Sequence, residues 1–176
     1  STGRIDVAVL YNAPKTSTLL TQPLIEEELL LIGPPTTPAA LRAGPVTGKD
    51  LAGLPMILPS HPHGLRVLLE NLLAAHQVEL NVEYEIDSFQ ACLGLVEEGL
   101  GYTVLPYAGV HRQVAAGQLV VTPIVEPRLA RQLVLATSTQ RPMTQTTRAL
   151  ARTVTQLVRD LVHDGIWMPK SNRPDG

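Results

Sequence analysis

An α/β fold is predicted for these 176 residues on three observations. From Leu54 onward, short apolar runs alternate with segments of helical periodicity, the pattern of strands joined by helices. Hydrophobic residues make up 44% of the chain but aromatics only 3%, so the core has to be aliphatic. The single cysteine, Cys92, excludes a disulfide framework and a multi-cysteine metal site. Charged residues are 17% and the net charge is -2, which excludes a disordered tail and supplies no basic field for nucleic acid. With one Trp and one Phe, stacking surfaces for bases or sugars are scarce. The first residues carry no basic segment leading into an apolar core, and no apolar run approaches the ~18 residues of a membrane span. With the lone thiol, these features give a reducing, cytoplasmic compartment as the expectation. The length fits one domain or two small lobes.

The elements follow in order. Ile5, Val7, Val9 and Leu10 within Arg4–Tyr11 predict a strand, stopped by Asn12-Ala-Pro14. A polar stretch through Thr21 leads to a second strand, Leu24–Ile32, ended by Gly33-Pro34-Pro35. Pro34, Pro35, Pro38, Gly44, Pro45 and Gly48 make residues 34–48 loop-like, unless a short helical turn forms over Pro38–Arg42. Pro55–Pro59 reads as a short buried strand. The turn Ser60–Gly64 then feeds a helix, Leu65–His76, with Leu68, Leu69, Leu72 and Leu73 on one face. Val82–Ile86 is the next strand. Ser88 caps a helix running to Glu98, because its hydroxyl can accept from a free first-turn amide, and Gly99 ends it in a left-handed conformation. Gly101–Pro106 is a strand, Tyr107–Ala116 a short helix, Leu119–Val125 a strand and Arg131–Ser138 the last strand. Strands joined by helices favour parallel pairing. Met143–His163 is the longest helix, with Leu150, Val154, Leu157, Val158, Leu161 and Val162 as a buried stripe and Arg148, Arg152 and Arg159 on a solvated face. The polar tail 169–176 is expected to be mobile.

No Gly-x-Ser-x-Gly elbow, phosphate loop or dinucleotide fingerprint occurs. Pro59-Ser-His-Pro-His-Gly64 places a serine and two histidines at a strand-to-helix turn. Adjacent residues cannot easily aim their side chains at each other, and no carboxylate is placed to orient His61 or His63, so a nucleophile with its base is disfavoured. His61 and His63 offer a metal only a pair of ligands split by Pro62. Two readings stay open: a turn with surface histidines, or a ligand-binding loop whose serine and free amides at a helix N-terminus receive an anionic or polar group. Glu26–Glu28 and Glu97-Glu98 read as solvated faces, and Cys92 as a small buried residue rather than a reactive thiolate.

Gly3–Tyr11, Pro23–Ile32, Val46–Leu51, Pro55–Pro59, Val96–Pro106 and the closing helix after Arg141-Pro-Met resemble, in this order, the effector-binding domain of LysR-type transcriptional regulators. The stretch Glu97-Glu-Gly-Leu-Gly-Tyr-Thr-Val-Leu-Pro106 is the most specific, and Leu58-Pro-Ser-His-Pro-His-Gly-Leu-Arg66 resembles a subgroup that includes nitrogen-assimilation regulators. The resemblance implies a two-lobed fold of the periplasmic-binding-protein type 2, with the first lobe incomplete. Residues 1–33 belong to lobe I, 34–137 to lobe II, and 138–168 return the chain to lobe I. It also implies a small, anionic metabolite bound between lobes by Ser60, His61, Ser88, Phe89 and Thr103, with Tyr11 and Asn12 on the opposite wall, and no cofactor or metal. The partners implied are the effector, further copies of the chain in a dimer or tetramer, and DNA only through a helix-turn-helix domain that this chain lacks. A solute-binding protein of a transporter shares the architecture and is the alternative. An enzyme is not expected, because no nucleophile, base and orienting group assemble.

Overall fold

The structure is a computed structural model that describes residues 7–13, 16–140 and 144–167. The expected strand onset at Arg4, the helix start at Met143 and the tail 169–176 lie outside the described residues. In chain order the elements are β1 (Val7–Tyr11), β2 (Leu19–Gly33), α1 (Ala39–Arg42), β3 (Val46–Thr47), α2 (Gly48–Ala52), β4 (Met56–Leu58) and α3 (Gly64–Ala74). They continue with β5 (Val82–Glu85), α4 (Phe89–Glu97), β6 (Thr103–Pro106), α5 (Tyr107–Ala115), β7 (Val120–Thr122), β8 (Ile124–Val125), β9 (Ala130–Ser138) and α6 (Gln145–His163). The chain divides into two compact units, one made of residues up to Glu28 with those from Ala130 on, the other of Leu29–Leu129.

In the first unit β9 pairs antiparallel with β1 and with the first part of β2, setting Tyr11 opposite Leu133 and Glu27 opposite Arg131. Strand β2 starts at Leu19, five residues before its apolar alternation. Residues 20–23 are exposed, and their strand conformation comes from the ladder with β9 rather than from burial. Helix α6 packs Val158 against Ile25 and Leu133, with Leu24, Val162 and Trp167 at the margin. Its six aliphatic residues do not all enter this contact. Leu150 and Leu157 are 50% and 56% exposed, because the helix meets the strands along the Thr147 and Val158 side and these two leucines lie on its flank. Arg148, Arg152 and Arg159 are exposed as expected. The expected solvated Glu26–Glu28 face is corrected: Glu27 and Glu28 are buried, and Glu27 is held by Arg131 (2.6 Å) and by the Trp167 indole N–H.

In the second unit the last residues of β2 take β6 on one side and β7 on the other, both antiparallel. Parallel pairing holds for β4 with β5, for β3 with β8, and for the bridge from Met56 to Tyr102. The single strand expected over Leu119–Val125 is two strands. Pro123 has no N–H to continue a ladder, so β7 stays on β2 while β8 crosses to β3. Helix α2, which starts at Gly48, the last residue of the stretch read from sequence as loop, is nucleated by a capping box in which Thr47 and Asp50 each bond the other's backbone N–H. Leu29, Leu31, Ile57, Leu58, Leu69, Leu93 and Val104 belong to the aliphatic core. Gly99 ends α4 with φ +78°. At Gly101 an added Cβ would stand 2.6 Å from the Pro55 carbonyl oxygen, so glycine is what lets the chain enter β6 this close to β4.

Candidate functional site

Two neighbouring parallel strands end side by side in the second unit. Leu58 closes β4 and Glu85 closes β5, and the Ile86 N–H donates to the Leu58 carbonyl at 2.9 Å. The chain then turns twice, through Pro59-Ser60-His61 into α3 and through Asp87-Ser88 into α4. Asp87 joins the turns, its Oδ1 accepting the Ser60 N–H at 2.9 Å. Both helices are capped from these turns: His63 Nδ1 accepts from the Leu65 N–H at 3.2 Å, and Ser88 Oγ accepts from the Ala91 N–H at 3.4 Å. Two helix N-termini at the carboxyl ends of parallel strands make a donor-rich edge, the place where open α/β sheets receive ligands.

The structure brings Ser60, His61, Ser88 and Phe89 to this edge. Ser60 is half-buried, while His61 and Ser88 are exposed. Phe89 is 42% exposed, with its ring against α5, where an added Cβ on Gly109 would lie 3.2 Å from Cζ. Thr103 is placed otherwise. It is 1% exposed, inside the core, and its hydroxyl bonds the Cys92 thiol. Burial pushes that thiol up from its ordinary value, with the Thr103 bond opposing it, and Cys92 is buried as expected.

Tyr11 and Asn12 lie in the first unit, and both have local partners. The Arg131 guanidinium sits 3.6 Å above the Tyr11 ring centroid. Burial raises the Tyr11 pKa, with Glu27 adding to it and Arg131 opposing. Asn12, in the left-handed region at φ 47°, donates its N–H to the Gln132 carbonyl (2.8 Å) and accepts the Gln132 N–H on Oδ1 (2.9 Å).

Sequence reasoning missed the charges behind the edge. Arg66 is 7% exposed although it stands on a helix, and it reaches Glu70, Glu85 and the Pro59 carbonyl oxygen. Glu70 also meets His61 Nε2 at 3.0 Å. The hydrogen bond from Arg66 holds the Glu70 carboxyl below its ordinary value; burial opposes it, and the nearby Arg66 and His61 charges assist. The only trace in the sequence is the i, i+4 spacing of Arg66 and Glu70. A groove of about 760 Å³ runs beside α3 and β5, lined by Arg66, Glu70, Glu79, Leu80, Val82 and Glu85 among others; it includes neither Ser60 nor Ser88. Among the described residues no group of three or more His, Cys, Asp or Glu side chains is placed to hold a metal, and no helix is long and apolar enough to cross a membrane.

Comparison with known proteins agrees with the fold. HTH-type transcriptional regulator BbuR of Bordetella bronchiseptica is 33% identical over 165 residues, which are 94% of this chain and 50% of that protein. The chain thus spans about half the length of the curated relatives it matches. Among solved structures, the CcmR regulatory domain of Synechocystis PCC6803 in complex with 2-PG has a TM-score of 0.74 at 21% identity, covering 89% of this chain and 74% of that one. The effector binding domain of QuiR in complex with shikimate has a TM-score of 0.72 at 21% identity, covering 88% and 72%. The family model described as the LysR substrate binding domain matches residues 1–159, and the chain belongs to that family.

Proposed function

We propose that this chain is the ligand-sensing part of a LysR-type transcriptional regulator and that a small anionic metabolite binds at the edge formed by Ser60, His61, Ser88 and Phe89. The observation that carries this reading is the pair of capped helix N-termini at the ends of β4 and β5, where Asp87 fixes the Ser60 backbone and leaves its hydroxyl for a ligand. Family membership supports it, and so do the 2-PG and shikimate complexes of the two fold neighbours. The ligand acts through its different affinity for two arrangements of the regulator, which assembles as a dimer or tetramer in the cytoplasm and meets DNA through a helix-turn-helix domain beyond this chain. Thr103 serves the ligand from behind, by packing under α4. The test is calorimetry with shikimate and 2-PG on the wild type and on Ser60→Ala. The expected result is binding that weakens about tenfold in the variant; equal affinity in both proteins overturns the assignment of Ser60.

A further inference from the structure

Pro59-Ser60-His61 is a short connection, yet each of its three residues is tied to a different group. The Pro59 carbonyl oxygen accepts from Arg66 Nη1 at 3.2 Å. The Ser60 N–H donates to Asp87. The His61 ring meets Glu70. Two of these three ties run through Arg66, which bonds Pro59 directly and holds Glu70 through Nε. The same guanidinium reaches Glu85 Oε1 at 3.3 Å, so one side chain joins the start of α3, the end of β5 and the loop between β4 and α3. Arg66 is the third residue of α3, and its side chain shares the buried face with Leu65, Leu69 and Leu73. An arginine that only solvated the helix would not give up water there; its desolvation is offset by three acceptors in directions that a planar fork can satisfy at once.

We infer that Arg66 is the positioning residue of the effector loop: it touches no ligand, and it sets the height of Pro59 and, through Glu70, the direction of the His61 ring. The inference rests on the reading of Ser60 and His61 as ligand contacts. It explains why this position needs arginine rather than any cation. A lysine ammonium carries its three donors on one nitrogen and cannot reproduce a fork that meets Glu70 through Nε and both the Pro59 carbonyl and Glu85 through Nη1.

The experiment is native-state hydrogen exchange by NMR on the 176-residue chain and its Arg66→Lys variant, followed by calorimetry with shikimate and 2-PG. In the variant the Ser60 and His63 amides are expected to exchange about tenfold faster, while Ile57, which donates to the Tyr102 carbonyl, and Ile86, which donates to the Leu58 carbonyl, stay within about twofold. Unchanged loop amides, or a uniform rise across β4 and β5, overturn the inference whatever the ligands do. If Arg66→Lys does not fold, Glu70→Gln carries the same test from a side chain that is 37% exposed. A loosened loop with about tenfold weaker binding of a probe supports the positioning role. A loosened loop with undiminished binding overturns it and leaves the effector reading standing. A loosened loop with no probe bound by either protein overturns the effector reading and the role built on it, leaving Arg66 as a loop anchor.

Discussion

Glu27 carries a carboxylate at 2% exposure in the first unit. A charge at that depth persists only with compensation, and here Arg131 supplies the opposite charge and Trp167 a further donor. Removing the carboxylate leaves the Arg131 guanidinium, whose side chain is 16% exposed, without its ion-pair partner, so Glu27→Ala should lower the unfolding free energy by about 3 kcal/mol in urea titrations followed by circular dichroism. Cys92 makes the opposite case, a reactive group made inert. Burial keeps its thiol above the ordinary value, hence protonated at neutral pH, and a thiol reagent should label it only once denaturant opens the second unit. Glu70 gives a pH dependence. Its folded carboxyl titrates below the ordinary 4.5, so its contribution is complete above that value and is lost as pH falls through the folded one. Between about pH 6 and pH 3 the wild type should therefore lose more stability than Glu70→Gln, measured by urea midpoints.

At the level of elements, the entry to β6 is governed by how closely two backbones approach. Gly101→Ala would push a methyl into the Pro55 carbonyl and the Ile57 side chain, and about 2 kcal/mol of destabilisation is expected in thermal unfolding. Helix α6 offers a contrast within one turn. Val158→Ala should cost about 2 kcal/mol, whereas Leu157→Gln, at a side chain 56% exposed, should stay within about 0.5 kcal/mol. These neighbours also show where sequence reading stops. Periodicity told that α6 is amphipathic, but not that Val158 would meet Ile25 while Leu157 would meet water, because the arc that becomes buried depends on what packs against it. The alternation of strand and helix from Met56 to Ala115 was legible, since each element there has its own apolar pattern and α3 and α4 start at side-chain caps. Strand β2 before Leu24 was not, because residues 19–23 show no apolar alternation and owe their conformation to a ladder with residues more than a hundred positions away. At the candidate site the turn of Ser60 and the cap of Ser88 could be read directly. Arg66 could not, since an arginine on a helix carries no mark that distinguishes a solvated side chain from one buried on three acceptors.

For the whole molecule, the division at Glu28/Leu29 and Leu129/Ala130 makes one unit continuous in sequence and the other discontinuous. The continuous unit owns a large aliphatic core, while the buried cluster of the other centres on Ile25, Leu133 and Val158 among the described residues. A fragment of residues 29–129 is therefore expected to keep a cooperative unfolding transition of its own; a broad, non-cooperative melt by calorimetry would contradict this. The placement of aromatic residues follows the same division. Trp167, the only tryptophan of the chain, is bonded to the buried Glu27 in the discontinuous unit, whereas Tyr84, Tyr102 and Tyr107 lie in the continuous one. The protein thus carries its own optical label on one unit. Indole emission reports the surroundings of Glu27 in the discontinuous unit, so its comparison with far-ultraviolet dichroism, which sums over both, tests without any engineered probe whether the two units unfold together.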